Sequence, residues 1–152
     1  MVKEGLVWAT ATEDMDSLTF GTKILLRNLS TSASGAKKKE IKQIDYEKVL
    51  SEFGMKEEQF VDLCILLGCD YCDSIKGVGK KRAFELIKKH GSIEEVLKNI
   101  DKNKYKVPEN FPFEGVRDLF KNPEVTPSKD IELKWGKFPF FAFHFSYSFF
   151  FR

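Results

Sequence analysis

Asp14 and Asp16, two positions apart in Thr12-Glu13-Asp14-Met15-Asp16, are the first residues whose type and spacing suit chemistry. If the chain stays extended there, both carboxylates point the same way and can hold a hard divalent cation through oxygen. The competing reading is local: one aspartate caps the short helix Asp16-Ser-Leu-Thr and the other is solvated. A third aspartate, Asp70 in LLGCDYC, lies beside apolar neighbours and needs a partner, which either a metal ion or an ordinary loop cap would supply.

A second constellation follows at Gly77-Val78-Gly79. Two glycines one residue apart permit a tight turn and leave backbone N–H groups uncovered. Lys80, Lys81 and Arg82 then occupy the first turn of a helix whose apolar face is Ala83, Leu86 and Ile87, with Phe84 beside it. Cations at the positive end of a helix cost stability unless an anion faces them, and a backbone phosphate is such an anion. The bland reading is a solvated basic turn.

The elements that must position these groups are legible in chain order. Leu6 to Ala11 is an apolar run of strand length that ends at the carboxylates, and a strand's C-terminal edge is a common place for chemistry. Ile24 to Leu29 and Glu40 to Ile44 read as two further strands, separated by a Ser, Thr, Ala, Gly and Lys loop whose lysines at 37–39 are solvated or touch nucleic acid. Asp45 caps a helix from Tyr46 to Phe53 that Gly54 closes. Phe60, Leu63, Cys64 and Leu67 recur at i, i+3, i+4 and i+7, predicting an amphipathic helix from Glu57 to Leu67 stopped by Gly68. The unit thus reads helix, loop, glycine hairpin, helix, a shape suited to holding a nucleic-acid backbone through main-chain amides and cations without reading bases. Ser92-Ile-Glu-Glu95 is a capping box opening a helix to about Ile100, and a proline-bearing stretch from 101 to 135 carries a short helix near Val116 to Phe120.

Composition bounds the rest. The 152 residues, 42% of them hydrophobic, suffice for one modest core. Net charge is only +2, so nucleic-acid binding must come from the local clusters at 37–42 and 76–89. There is no signal peptide and no apolar run near the ~20 residues that cross a bilayer, which points to a soluble intracellular protein without a membrane partner. Cys64, Cys69 and Cys72 form C-x4-C-x2-C, part of a plant-type iron–sulfur spacing, but no fourth cysteine exists and reduced thiols are expected. His90 and His144 make no pair that would suggest zinc or a nucleophilic triad.

The stretch QFVDLCILLGCDYCDSIKGVGKKRAFELIKKHGSIEEVL resembles the helix-hairpin-helix region of flap endonucleases in the XPG-type structure-specific 5′ nuclease family. WATATEDMDSLTFGTKILLRNL resembles that family's second acidic segment, and KYKVPENF, LFKNPEV and IELKW extend the likeness to Trp135. The resemblance implies an α/β fold: a fragment of a PIN-like nuclease core with a partial sheet, followed by the helical region related to 5′-3′ exonuclease C-terminal parts. Residues 1–45 would belong to the internal nuclease region, 46–135 to the helix-hairpin-helix region, and 136–152 to a non-family tail. It implies that Asp14, Asp16 and Asp70 belong to a seven-carboxylate site for two Mg2+ ions, catalysing two-metal hydrolysis of phosphodiester bonds. It further implies that Gly77, Gly79, Lys80, Lys81 and Arg82 grip duplex DNA, with a K+ held by Ser74, Ile75 and Val78. The expected substrate is branched DNA with a 5′ flap, cut by endonuclease or 5′-3′ exonuclease action during replication and repair in the nucleus.

Three departures qualify these expectations. Lys80 stands where the family usually has proline, which adds a charge and keeps the helix start. The family's N-terminal half, with four metal carboxylates, a catalytic lysine and arginine and the helical arch, has no counterpart before Met1, so activity of the isolated chain is in doubt and a backbone-binding module without turnover is the alternative. After Trp135, GKFPFFAFHFSYSFFFR replaces the family's acidic helices and clamp-binding peptide with a Phe-rich tail at risk of aggregation. That tail reads as translated non-coding or frame-shifted sequence, with a partner- or membrane-surface segment as the alternative.

Overall fold

A computed structural model of the chain describes residues 1–29, 40–134 and 136; the lysines at 37–39 and the tail from 137 onward lie outside these. Three short strands, β1 (Thr10–Ala11), β2 (Ile24–Arg27) and β3 (Lys42–Asp45), form one sheet in that order. β1 runs parallel to β2, with Thr10 opposite Leu25, and β3 returns antiparallel, with Leu25 opposite Ile44. Five helices follow: α1 (Tyr46–Phe53), α2 (Glu57–Leu67), α3 (Lys80–His90), α4 (Ile93–Asn99) and α5 (Phe113–Lys121). The expected α/β class is what the molecule shows.

The first expected strand is much shorter than its apolar run. Only Thr10 and Ala11 pair with β2, while residues 1–8 make turns closed by Gly5 N–H to Val2 C=O and Leu6 N–H to Met1 C=O. β1 has one neighbour, and apolar character alone cannot make a ladder where no second backbone lies alongside. Leu6 and Trp8 are consequently 47% and 65% exposed. β2 ends two residues early, where Asn28 turns to φ +65, and β3 starts two residues late and ends one late, so that Asp45 is both its last residue and the cap of α1.

The helix boundaries follow local chemistry closely. The Asp45 carboxylate accepts from Lys48 N–H at 3.2 Å, and Gly54 closes α1 in the left-handed conformation. Ser92 Oγ accepts from Glu95 N–H at 3.5 Å to open α4, while the Glu95 carboxylate takes Lys98 at 2.7 Å. α5 begins three residues before the expected Val116, since Pro112 C=O already accepts from Val116 N–H.

α2 departs from the expected single stripe. Leu67 is exposed, whereas Val61, Asp62, Ile65 and Leu66 are buried together with Phe60 and Leu63. The helix is packed on two sides, because it joins two apolar clusters. Phe60 packs with Leu18, Leu25 and Tyr46 beneath the sheet. Val61, Leu63, Ile65 and Leu66 pack with residues of α3, α4 and α5, including Ile87, Ile93, Val96 and Phe120. Burial of each such side chain contributes roughly 1.5–3 kcal/mol, so α2 is the element that fastens the sheet to the helices.

A buried ion-pair knot reinforces that fastening and was not anticipated. Arg117 of α5 donates Nε to Asp62 Oδ1 at 2.8 Å and Nη2 to Asp62 Oδ2 at 2.9 Å, and its Nη1 reaches Glu94 Oε1 at 2.7 Å. Asp62 Oδ2 also accepts from Ile93 N–H at 3.0 Å, at the start of α4. One guanidinium thus ties α2, α4 and α5 together, and its bidentate fork satisfies a carboxylate that burial would otherwise penalise heavily.

Candidate metal and nucleic-acid site

The two aspartates of the first segment do not keep the extended geometry that would point them the same way. Asp14 is extended, but the chain then enters a 3-10 helix, Met15–Leu18, and Asp14 Oδ1 caps it by accepting from Asp16 N–H at 2.9 Å. The Ser17 hydroxyl donates to Asp14 C=O at 3.0 Å, and Asp14 N–H donates to Thr12 Oγ1 at 3.1 Å. The local capping role is therefore real, and it places Asp16 in the first turn, next to its neighbour. Thr19 N–H and Phe20 N–H both donate to Asp16 C=O, at 2.9 and 3.3 Å, which fixes that turn.

Asp70 arrives from 54 positions further along, on a tight turn in which Cys72 N–H donates to Cys69 C=O at 3.4 Å and the two thiols lie 3.7 Å apart. The fold brings it near enough to Asp16 for its charge to act there. The Asp16 carboxyl is raised above the usual aspartate value, first by burial, then by the negative charges of Asp14 and Asp70. Carboxylate oxygens are the hard donors that a divalent cation takes. Among the described residues, however, no group of three or more His, Cys, Asp or Glu side chains is gathered closely enough to hold an ion. The donor set fits magnesium in kind, while its side chains stand apart.

Two of the cysteines around this turn sit where the thiolate is disfavoured. Burial pushes both Cys64 and Cys72 up to about 12, and all three cysteines are free thiols.

Seven residues past Asp70 the glycine hairpin opens α3. Gly77 adopts φ +92, which favours glycine, and a Cβ there would sit 3.2 Å from the Tyr105 ring. Gly79 is different: it is extended at φ −90, and a Cβ there would meet nothing within 4 Å. Its lack of a side chain is not demanded by the fold, so the open space before the N-terminus of α3 is available to a ligand. Lys80, Lys81 and Arg82 are all exposed around that opening, with Arg82 paired to Glu85 at 3.1 Å. Ile75 and Val78 are buried, and Val78 N–H donates to Ile75 C=O at 3.0 Å to close the turn beside exposed Ser74.

The basic face is wider than the sequence suggested. Lys76 and Lys106 form a two-way backbone bridge, at 3.1 and 3.3 Å, that lays the 104–106 segment against the hairpin. Tyr105 is buried beneath it, with Lys104 Nζ 5.4 Å and Arg82 6.0 Å from its ring centre. No local pattern marks these residues, since their placement depends on a contact across thirty positions. Lys88, by contrast, lies in the basic run but acts structurally, donating to Phe53 and Gly54 C=O at the end of α1.

The model of the XPG I-region matches residues 1–70. Flap endonuclease 1 of Branchiostoma floridae is 56% identical over 135 residues, 89% of this chain and 35% of that protein. Among solved structures, flap endonuclease-1 from Methanococcus jannaschii superimposes with a TM-score of 0.66 at 31% identity, over 83% of this chain and 36% of that one. The Holliday junction-resolving enzyme GEN1, in complex with product DNA and Mg2+, gives 0.60 at 25% identity, over 83% and 36%. The chain thus spans about a third of the length of the relatives it matches. Residues 1–70 thus match the XPG I-region, and over most of its length the chain is similar in sequence and fold to flap endonucleases of that family.

Proposed function

We propose that this chain is part of a metal-dependent structure-specific nuclease that hydrolyses phosphodiester bonds in branched DNA bearing a 5′ flap, in replication and repair within the nucleus. The observation that carries the reading is the acidic segment followed by the basic hairpin: burial, then the charges of Asp14 and Asp70, disfavour ionisation of Asp16, and the glycine hairpin opens seven residues past Asp70. Carboxylates whose charges disfavour one another's ionisation are a common feature of cation-binding sites.

In this reading Asp14, Asp16 and Asp70 hold Mg2+, one carboxylate set serving two ions together with the family's further ligands. When bound, the ions activate water and neutralise charge at the phosphorus. The chain's own residues do the rest. The amides exposed at Gly79 and the cations Lys80, Lys81 and Arg82 bind the duplex backbone, and the Ile75 to Val78 turn with Ser74 offers oxygens for K+. Gripping phosphates at a point remote from the carboxylates would set the duplex in register with them, which is how a protein without base-reading residues selects a junction. Relatives bound to product DNA with Mg2+ support the partner and the ion.

A second reading, backbone binding without turnover, is favoured by the spacing of the aspartates, which are not gathered into a cage among the described residues. Cleavage of a labelled 5′-flap DNA by the 152-residue chain with Mg2+, beside a binding titration at two salt concentrations, separates the two. Cleavage at the junction that Asp70→Ala abolishes supports the nuclease reading. Salt-sensitive binding with no product supports the module. Neither binding nor cleavage would reject both.

A further inference from the structure

Cys69 and Cys72 face one another across a tight turn, and no step of the proposed hydrolysis uses either thiol. They form an isolated antiparallel bridge with Asp70 and Tyr71 as the turn residues between them, and Cys72 N–H donates to Cys69 C=O at 3.4 Å. Residues opposed in this way have Cα atoms about 4.5–5.5 Å apart, inside the range of about 4.4–6.8 Å that a disulfide spans. The two Sγ atoms already lie 3.7 Å apart. Closing that gap to about 2 Å moves each sulfur by roughly 0.8 Å, which side-chain rotation supplies. Both side chains pack on the helical core, which anchors them, yet each is only half-buried, so neither thiol is sealed from solvent. Cys64 packs elsewhere, on the sheet-side cluster with Leu18, Leu25, Tyr46 and Phe60.

We propose that Cys69 and Cys72 are a dithiol modification site, which a small disulfide such as glutathione disulfide converts to an intramolecular Cys69–Cys72 bond. One cysteine attacks a sulfur of the oxidant and displaces one glutathione; the other then attacks the mixed disulfide and displaces the second. The two cysteines lose two protons and two electrons between them, and one glutathione disulfide becomes two glutathione thiols. Burial and the neighbouring Cys69 disfavour the Cys72 thiolate, which slows this exchange without preventing it. The product is a covalent clasp on the turn that carries Asp70, and a half-exposed bond of this kind belongs to the readily reversed class.

The test equilibrates the full chain without oxygen in mixtures of reduced and oxidised glutathione, in buffer and in concentrated urea, then alkylates free thiols with N-ethylmaleimide and maps them by peptide mass. In buffer the Cys69–Cys72 bond should form while Cys64 is alkylated. The ratio of bonded to dithiol chain at a given mixture should exceed that in urea by about tenfold or more, the gain from sulfurs held in orientation. Cys64→Ser should leave that ratio within about twofold of the parent. An equal ratio in buffer and urea would mean that closeness in sequence alone makes the bond, and the folded site would be wrong. Glutathione retained on Cys69 or Cys72, or a bond to Cys64, would overturn it too. Thiols that remain fully alkylated in the most oxidising mixture would reduce the pair to core packing.

Discussion

The Asp16 carboxyl sits where burial and two neighbouring negative charges disfavour its ionised form. A carboxyl raised in the folded state withdraws stability as pH rises from its unfolded value through its folded one, so in the ion-free chain Asp16 is a liability at neutral pH and not in acid. Asp16→Asn should therefore raise the thermal midpoint of the ion-free chain at pH 7, by the equivalent of roughly 0.5 kcal/mol after solvent screening, and abolish the further rise that Mg2+ gives the parent. Differential scanning calorimetry with chelator and with Mg2+ reads both, and a lowered ion-free midpoint would contradict the repulsion. The opposite sign holds at Glu94, which Arg117 pulls down to about 2. That stability is complete above the ordinary carboxylate value and drains as pH falls towards 2. With the Glu94 side chain 38% exposed, about 1 kcal/mol is at stake. Glu94→Gln should flatten the acid limb of a urea-midpoint profile between about pH 4.5 and 2. Arg117→Met leaves the Asp62 carboxylate buried without its fork, and should cost about 3 kcal/mol at neutral pH by the same measurement.

At the scale of the hairpin, the two glycines serve different ends. Gly77 is required by its backbone and by the Tyr105 ring, so Gly77→Ala should destabilise the chain by about 1–2 kcal/mol. Gly79 is required by neither, so Gly79→Ala should leave the urea midpoint within about 0.5 kcal/mol of the parent while weakening binding to duplex DNA. Fluorescence anisotropy beside denaturation separates these outcomes. Equal DNA affinity in Gly79→Ala would mean that phosphates do not approach the amides of α3. The Lys76–Lys106 bridge ties the 104–106 segment to the hairpin, which explains why Lys104 and Arg82 both lie over the Tyr105 ring.

The whole molecule has a net charge of only +2, so its affinity for DNA rests on that face and not on a long-range field. The double variant Lys80→Gln, Lys81→Gln should weaken binding about equally on any duplex and reduce the slope of log affinity against log salt by about 2, one unit per lost phosphate contact. An unchanged slope would place the backbone contacts elsewhere. The helical framework, its caps at Asp45, Gly54 and Ser92, and the glycine hairpin were legible in the sequence, because each is written in residues a few positions apart. The 6–11 run was misleading as a strand, because pairing needs a second backbone that apolar composition does not supply. The tertiary structure alone decided that α2 is buried on two sides, that Arg117 binds Asp62 and Glu94 across 55 and 23 positions, and that Phe20, Tyr71 and Phe120 meet edge to face. Those contacts join residues whose own neighbourhoods carry no trace of the partner, and only packing the elements together could bring them within reach.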